Sequence, residues 1–249
     1  MTTSGFWPGA CEGAVSLTFD DGAPTHLSNA IPRLDNLDLH GTFYLNPSRR
    51  REWQEQAGAW RAAGLHGHEL GNHTTRHPCS CNYHFDDNFC LETMSLAQIV
   101  ETIEEAECAL NELMPEQENA RSFCYPCYQS FVGAGITRTS YVPEVAQRFR
   151  AARGWGDRHN DPAVIDLTYL TSLAVEGTSG QEMVEHVEKA AREGGWAVIC
   201  FHGIGGDHIA SGLDAFDHLL DYLSREHERI WTATLIEAAD HVIAQRQAV

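Results

Sequence analysis

Two adjacent aspartates that follow a short apolar segment are the first side chains in this sequence that could do chemistry. Residues 14–19 are apolar and β-prone, and Asp20 and Asp21 come next, ahead of a turn at Gly22 and Pro24. Two neighbouring carboxylates repel one another in a buried place, but a bound cation removes that repulsion because it takes one as a ligand and leaves the other as a base. A solvated Asp-Asp-Gly turn is the alternative.

Histidines provide the second chemical signal. His73 and His77 stand four residues apart, so on a helical turn their imidazoles would point the same way and could share one metal ion. Two histidines and a carboxylate suit a catalytic divalent ion, with zinc the foremost candidate. The alternative is a pair of loop histidines without a metal. His202 follows the apolar segment 196–201, which is typical of a strand covered on both faces.

The composition limits the classes of protein that remain. The chain has 249 residues, 43% of them hydrophobic, which is enough for one sizeable core. Its formal net charge of −18 argues against nucleic acid and an anionic membrane as partners. No apolar stretch is long enough to span a bilayer, and the first residues lack the basic and apolar regions of a signal peptide. The cytoplasm is therefore the expected location, with secretion left open, and nothing indicates an oligomeric state.

Strand-like and helix-like segments alternate along the chain and position these residues. Strands are predicted over 14–19, 41–45, 69–72, 122–125, 149–153, 165–170, 196–201 and 230–234. Helices are predicted over 24–37, 50–63, 95–113, 141–148, 179–192, 213–226 and 235–245. This alternation predicts an α/β fold in which parallel strands, joined by helical crossovers, close as a barrel. The two aspartates, His73 and His202 then fall at C-terminal strand ends, where such folds carry their chemistry.

Three motifs in this order resemble those of the NodB-homology polysaccharide deacetylases, carbohydrate esterase family four. They are Thr18-Phe19-Asp20-Asp21-Gly22, Gly71-Asn72-His73-Thr74-Thr75-Arg76-His77 and Cys200-Phe201-His202. The resemblance runs from about residue 14 to about residue 239. It implies a distorted (β/α) barrel of about seven repeats, formed by one domain over 1–249, and a metal-dependent hydrolase.

The resemblance also implies a substrate class. The expected activity is the removal of acetyl groups from N-acetylated amino sugars in a poly- or oligosaccharide. The nearest alternative is an esterase that removes O-acetyl groups from a glycan such as xylan. A third is a carbohydrate-binding relative with an impaired catalytic site. An acetylated carbohydrate is the expected partner in each case.

The family pattern assigns roles to individual positions. Asp20 matches the general base, and His202 matches the general acid that protonates the leaving group. Asp21, His73 and His77 match the three ligands of Zn²⁺, or of another divalent transition metal such as Co²⁺ or Ni²⁺. The ion would polarise the acetyl carbonyl and a water molecule. A backbone N–H near Cys127 or Tyr128, in the third motif, would be a further oxyanion donor.

Two motifs depart from the family pattern. Cys124 stands where an arginine that orients the catalytic aspartate is expected, and the aspartate-tryptophan pair of the fourth motif is missing. We expect Arg153, at a neighbouring strand end, to replace the missing arginine and pair with Asp20. A surface arginine is the alternative. A carboxylate near Asp161 or Asp166 would then hold His202.

Several residues near these motifs are candidates for substrate contacts. Asn46 follows the second strand, and Tyr128 and Trp155 offer aromatic faces on which sugar rings could stack; Cys127 belongs to the same group through its backbone N–H. Core packing is the alternative for each aromatic residue. The glycine-rich segment 202–208 lacks phosphate-loop spacing and is interpreted as a mobile site loop. His208 within it would either shape the site or form a solvated turn.

Eight cysteines leave three interpretations open. Buried free thiols are the default expectation, given a reducing compartment. The pairs Cys79/Cys81 and Cys124/Cys127 could instead bind a structural zinc, although the spacing of the first pair is poor for that. A disulfide within or between the pairs is the third possibility.

Overall fold

A curled, parallel β-sheet with helices on its outer side forms the body of the protein in a computed structural model that describes residues 5–47, 51–85 and 89–248. The strands of these ranges are β1 (Gly13–Phe19), β2 (Thr42–Leu45), β3 (Glu69–Asn72), β4 (Phe123–Cys124), β5 (Phe131–Val132), β6 (Thr139–Ser140), β7 (Ala152–Arg153), β8 (Leu173–Ala174), β9 (Trp196–Phe201) and β10 (Ile230–Thr232). The α-helices are α1 (Ile31–Asn36), α2 (Arg51–Leu65), α3 (Leu96–Leu113), α4 (Val142–Ala146), α5 (Gly180–Arg192), α6 (Leu213–Arg225) and α7 (Leu235–Gln247).

The strand order makes β1 the centre of the sheet. Seven strands follow the order β7-β4-β3-β2-β1-β9-β8, and β10 pairs with the first residues of β1. All of these pairs are parallel, and β5 and β6 form a separate antiparallel pair. The arrangement is a partly closed barrel, so the predicted distorted (β/α) barrel of about seven repeats is confirmed.

Strand β1 is buried on both faces, and its side chains alternate between the two. Val15, Leu17 and Phe19 pack among the apolar side chains of α5 and α6. Ser16 and Thr18 point to the opposite side, because successive side chains of a strand alternate between its faces. Asp20, the next residue in this alternation, therefore leaves the strand on the inner side.

Helix termini are fixed by their own sequences. Ser95, Ser179 and Thr234 each accept from the backbone N–H three residues on, and a Gln or Glu side chain at that position reaches back to form a capping box. Ser95 thereby caps the long helix that was predicted over 95–113, and α5 and α6 place their apolar faces against the sheet. Within the described ranges, none of the helices combines the length and apolarity that a bilayer crossing needs.

A buried carboxylate closes the other end of the sheet. Glu69, 2% exposed, accepts from Thr42 Oγ1 (2.8 Å), from Ser122 N and Oγ (2.6 Å each) and from Ile236 N at the start of α7 (3.0 Å). These bonds tie β2, β3, β4 and α7 together. The end of the sheet away from the chemical residues is thus held by one fully bonded side chain.

Three predicted elements are wrong in detail. The strand predicted over 165–170 is a short 3₁₀ turn, Leu167–Tyr169, which starts because Asp166 accepts from Thr168 N, and the strand of that region is β8. The helix predicted over 24–37 begins instead with a π-helical turn, His26–Ala30, before α1. Strand 149–153 shrinks to the two residues of β7.

Candidate active site

Parallel pairing brings residues from three distant motifs to one edge of the sheet. Asp20 N donates to Phe201 O at 2.9 Å, and His73 N donates to Leu45 O at 3.1 Å. Each bond continues a strand ladder by one step beyond the strand end. The carboxylates after β1, the histidines after β3 and His202 after β9 therefore meet at the carboxyl ends of their strands.

Asp21, His73 and His77 turn their side chains towards one point. Asp21 Oδ1 lies 3.5 Å from His73 Nε2 and 3.3 Å from His77 Nε2. The three atoms lie within 4.8 Å of one another, a separation that one metal ion can bridge. Asp21 and His77 reach this arrangement from left-handed backbone, with φ of 72° and 46°. Backbone of this kind is uncommon outside glycine and concentrates at functional sites.

The donor set fits a divalent transition metal. His73 Nδ1 donates to the Cys124 carbonyl at 2.9 Å, which in the neutral ring leaves the lone pair of Nε2 to bind a metal. His73 Nε2 is buried and has no hydrogen-bond partner among the described residues. Burial, followed by the neighbouring His73, lowers the pKa of His77 to about 4 and keeps this imidazole neutral, the form that binds a metal.

A buried ion pair holds Asp20. The carboxylate is 3% exposed, and Arg153 Nη2 contacts its Oδ2 from a side chain that is entirely buried. Arg153 Nη1 donates in turn to Ser172 Oγ at 3.0 Å. Burial alone would raise the pKa of Asp20, but Arg153 and then His73 outweigh it and hold that pKa below its usual value. Asp20 is therefore ionised, and Arg153 lies where the replacement hypothesis requires.

Two free thiols complete the surroundings of Asp20. The sulfurs of Cys124 and Cys200 lie 3.7 and 3.6 Å from Asp20 Oδ2. Burial raises the pKa of Cys200 to about 12 and raises that of Cys124 as well, so both are neutral thiols that can donate to the carboxylate. The contact of Cys200 was not predicted, although the period of two along β9 puts it on the same inner face as Asp20.

His202 lies beside the same carboxylate. Its Nε2 is 3.9 Å from Asp20 Oδ2, and its carbonyl accepts from His26 Nε2 at 2.6 Å. Burial lowers the pKa of His202, against the opposing effect of Asp20. The prediction that Asp161 or Asp166 holds His202 is wrong, because both accept instead from backbone N–H groups two residues on.

The hydrogen bonds of the third-motif segment reduce the two candidate oxyanion donors to one. Tyr128 N donates to Tyr125 O at 2.9 Å and so belongs to a local turn, which leaves Cys127 N as the other candidate. Tyr128 OH lies 3.4 Å from Cys200 Sγ, close to the carboxylate site. Trp155 is 57% exposed and free to present its ring.

A groove of about 1530 Å³ runs from Asp21 and His77 between α2 and α3. Asn46 lines it, as do Trp53 and Trp60. The Asn46 amide also donates to the carbonyls of His73 and Thr74, at 2.5 and 3.1 Å. Asn46 thus holds the histidine segment in place at the groove wall.

Disulfides replace the expected free thiols in the loops beside the site. Cys79 is bonded to Cys127, and Cys81 is bonded to Cys90. The expectation of free thiols is therefore wrong for these four cysteines, and the four-thiol structural zinc site is excluded because Cys124 lies at Asp20. The disulfide alternative is confirmed in a form that links the histidine loop to the third-motif segment.

Comparisons with known proteins agree with this geometry. Residues 9–131 match the family model described as polysaccharide deacetylase. A search of curated proteins gave no match. The chain is similar to the solved peptidoglycan deacetylase PdaC from Bacillus subtilis, with 18% identity, 95% of this chain and 94% of that chain covered, and a TM-score of 0.56. A putative polysaccharide deacetylase from Mycobacterium smegmatis matches with 17% identity, 96% and 93% coverage and a TM-score of 0.64.

A family 4 acetyl xylan esterase from Clostridium thermocellum, solved in complex with a cobalt ion, is also similar. Its identity is 18%, its coverage is 90% of this chain and 89% of that chain, and its TM-score is 0.56. At these identities the likeness to solved structures shows the fold. Together with the family match, it confirms the resemblance that the three motifs indicated.

Proposed function

Because residues 9–131 match the family model described as polysaccharide deacetylase, we propose that this chain is a metal-dependent hydrolase that removes acetyl groups from N-acetylated amino sugars in an oligo- or polysaccharide. One observation carries the proposal. Ligand atoms of Asp21, His73 and His77 lie within 4.8 Å of one another, directly beside a buried and ionised Asp20. A metal-binding group next to a carboxylate base is the arrangement that metal-assisted hydrolysis requires.

Asp21, His73 and His77 would hold the ion, with Zn²⁺ the first candidate and Co²⁺ or Ni²⁺ the alternatives. When bound, the ion supplies a Lewis acid that polarises the acetyl carbonyl and a water molecule. The chain's own contribution is to present two imidazoles and one carboxylate, a set that suits this class of metal.

Asp20 is proposed as the general base. Its carboxylate is ionised because Arg153 faces it, and burial keeps bulk water from screening that pair. The two thiols and Arg153 also fix the orientation of the carboxylate, so one geometry is presented to the attacking water. Asp20 would take a proton from that water as the tetrahedral centre forms.

His202 is proposed as the general acid. It lies across from Asp20, with its Nε2 3.9 Å from Oδ2, and would donate a proton to the leaving amine. His26 holds the His202 carbonyl and so fixes the strand end from which the imidazole projects. The N–H of Cys127 would donate to the developing oxyanion.

The substrate would lie along the groove beside Asp21 and His77. Asn46 is proposed as part of the groove wall. Tyr128 and Trp155, which lie outside the residues that line this groove, are proposed as stacking surfaces for sugar rings. An O-acetyl esterase activity is a second candidate, favoured by the similarity to an acetyl xylan esterase. Both activities use the same proposed base and acid.

Acetate release tests the proposal. The protein, stripped with a chelator and then reloaded with Zn²⁺, Co²⁺ or Ni²⁺, would be incubated with N-acetylglucosamine oligosaccharides and with acetylated xylan. We expect metal-dependent acetate release and a loss of about 10²–10⁴-fold in Asp20→Asn. The ratio of the two rates decides between N- and O-acetyl groups. No acetate from either glycan with any of the three metals would refute the enzymatic proposal.

A further inference from the structure

The loop after β9 has a defined shape. Gly203 N donates to His208 O (3.0 Å), Gly205 N donates to Ser211 O (2.8 Å), and Ser211 N donates back to Gly203 O (2.9 Å). A Cβ at position 203 would lie 1.9 Å from Gly206 O, so the winding excludes any residue larger than glycine there. The backbone of this segment, for which the sequence predicts a mobile loop, is closely bonded to itself.

This loop is also bonded to the chain that follows the paired aspartates. Ile204 N donates to Thr25 Oγ1 (3.0 Å), and Thr25 N donates to Asp207 Oδ2 (2.9 Å). Asn29 Nδ2 donates to Ile204 O at 2.7 Å. These three bonds fix the distance between the loop and the Asp21 turn without using any ligand atom.

His208 extends from this frame to Asp21. Its Nε2 donates to Asp21 Oδ2 at 2.8 Å, while Oδ1 of the same carboxylate faces His73 Nε2 and His77 Nε2. The two oxygens of one carboxylate therefore have different partners. A carboxylate whose second oxygen is held in this way cannot rotate its first oxygen away from the histidines without losing a hydrogen bond.

We propose that His208 is a positioning residue for Asp21: by holding Oδ2, it keeps Oδ1 directed at the proposed metal position. The inference rests on the proposed function, because it takes Asp21, His73 and His77 as the metal ligands. His208 is 53% exposed, and an ordinary ion pair at such a site contributes little because ordering two side chains opposes it. Here the hydrogen bonds of the loop already hold the backbone at His208, so less ordering opposes its contact with the Asp21 carboxylate.

Zinc affinity, measured by competition with a chelating dye, tests this role without any substrate. We expect His208→Ala to bind Zn²⁺ about 10–100-fold more weakly than the wild type, the usual effect of removing a group that orients a ligand. His208→Gln, whose amide can still donate, should recover part of the loss. The unfolding temperature in excess chelator should be equal in all three proteins, because the side chain lies outside the core.

Two further variants keep the outcomes separate. His227→Ala removes another exposed histidine and should bind zinc like the wild type, whereas Asp21→Ala should lose the site. Affinity within twofold of wild type in His208→Ala, with loss in Asp21→Ala, would overturn the positioning role and leave the proposed function standing. Wild-type affinity in Asp21→Ala would overturn both, since the proposed ligand set would then be wrong.

Discussion

The guanidinium beside Asp20 comes from an unusual place in the chain. Cys124 occupies the position at which the resembled family has an arginine, and β4 pairs with β7 so that Cys124 lies opposite Arg153. A cysteine side chain is small enough to leave room for the longer one from the neighbouring strand. The charge next to Asp20 is therefore retained although its residue has moved, which argues for a working carboxylate.

Substitution of Arg153 tests this exchange. Arg153→Lys keeps the charge but loses the planar fork, and we expect kcat to fall about 10–100-fold with little change in KM because Asp20 is misplaced. Arg153→Cys should lose more, and the double variant Cys124→Arg/Arg153→Cys should regain part of that loss. Arg150→Lys, at an exposed pair with Asp240, is the control. Wild-type turnover in Arg153→Lys would show that the pair does not orient the base.

The strands and helices differ in how closely their predicted bounds match the observed ones. Strand β9 is a continuous apolar segment, strand β1 is rich in β-prone residues, and helices α3, α5 and α7 carry their own caps, so their predicted bounds lie close to the observed ones. Strands β7 and β8 are two residues long, too short for any period to appear, and they form only because neighbouring strands pair with them.

The residues of the site also differ in how far the sequence predicts their positions. Asp20, Asp21, His73, His77 and His202 follow recognisable strands, so their convergence could be predicted. The contact of Cys200 follows from the period of two along β9, whereas that of His208 could not be predicted, because it depends on how separate loops pack. The sequence left a disulfide as one of three alternatives and could not choose among them for the same reason: the Cys79–Cys127 pairing requires the loop after β3 to meet the segment after β4.

The Cys79–Cys127 disulfide joins two segments with strained backbone. Thr74 and His77 on one side, and Cys127 and Tyr128 on the other, all have positive φ. The bond spans 48 residues, so its removal should lower the free energy of unfolding by about 2–4 kcal/mol and should also weaken zinc binding by freeing His77. Urea denaturation and dye competition on Cys79→Ser/Cys127→Ser would measure both effects.

The second disulfide provides a matched control. Cys81–Cys90 spans only 9 residues, so Cys81→Ser/Cys90→Ser should lose less stability and leave zinc affinity near that of the wild type. Equal zinc affinity in the two double variants would contradict the proposed link between the first disulfide and His77. Two disulfides are typical of proteins in an oxidising compartment, whereas the expectation of free thiols assumed a reducing one.

At the scale of the whole molecule, global stability depends on imidazoles that the fold keeps neutral. His26 lies among the rings of Phe19, Phe43 and Trp60, next to the central strand. Burial lowers the pKa of His26 from 6.5 to about 4 and also lowers that of His68. Below pH 6.5 these imidazoles bind protons in the unfolded chain but stay neutral in the folded chain. The free energy of unfolding therefore falls as pH falls towards 4.

The variant His26→Gln isolates this contribution, because its amide can still donate to the His202 carbonyl but does not titrate. Between pH 7.5 and pH 5, the wild type should lose about 2 kcal/mol more of its free energy of unfolding than the variant. Urea denaturation in excess chelator, which removes any contribution from metal release, would measure the difference. His227→Gln, at an exposed position, should follow the wild type. An identical loss in His26→Gln and the wild type would mean that His26 does not remain neutral in the folded protein.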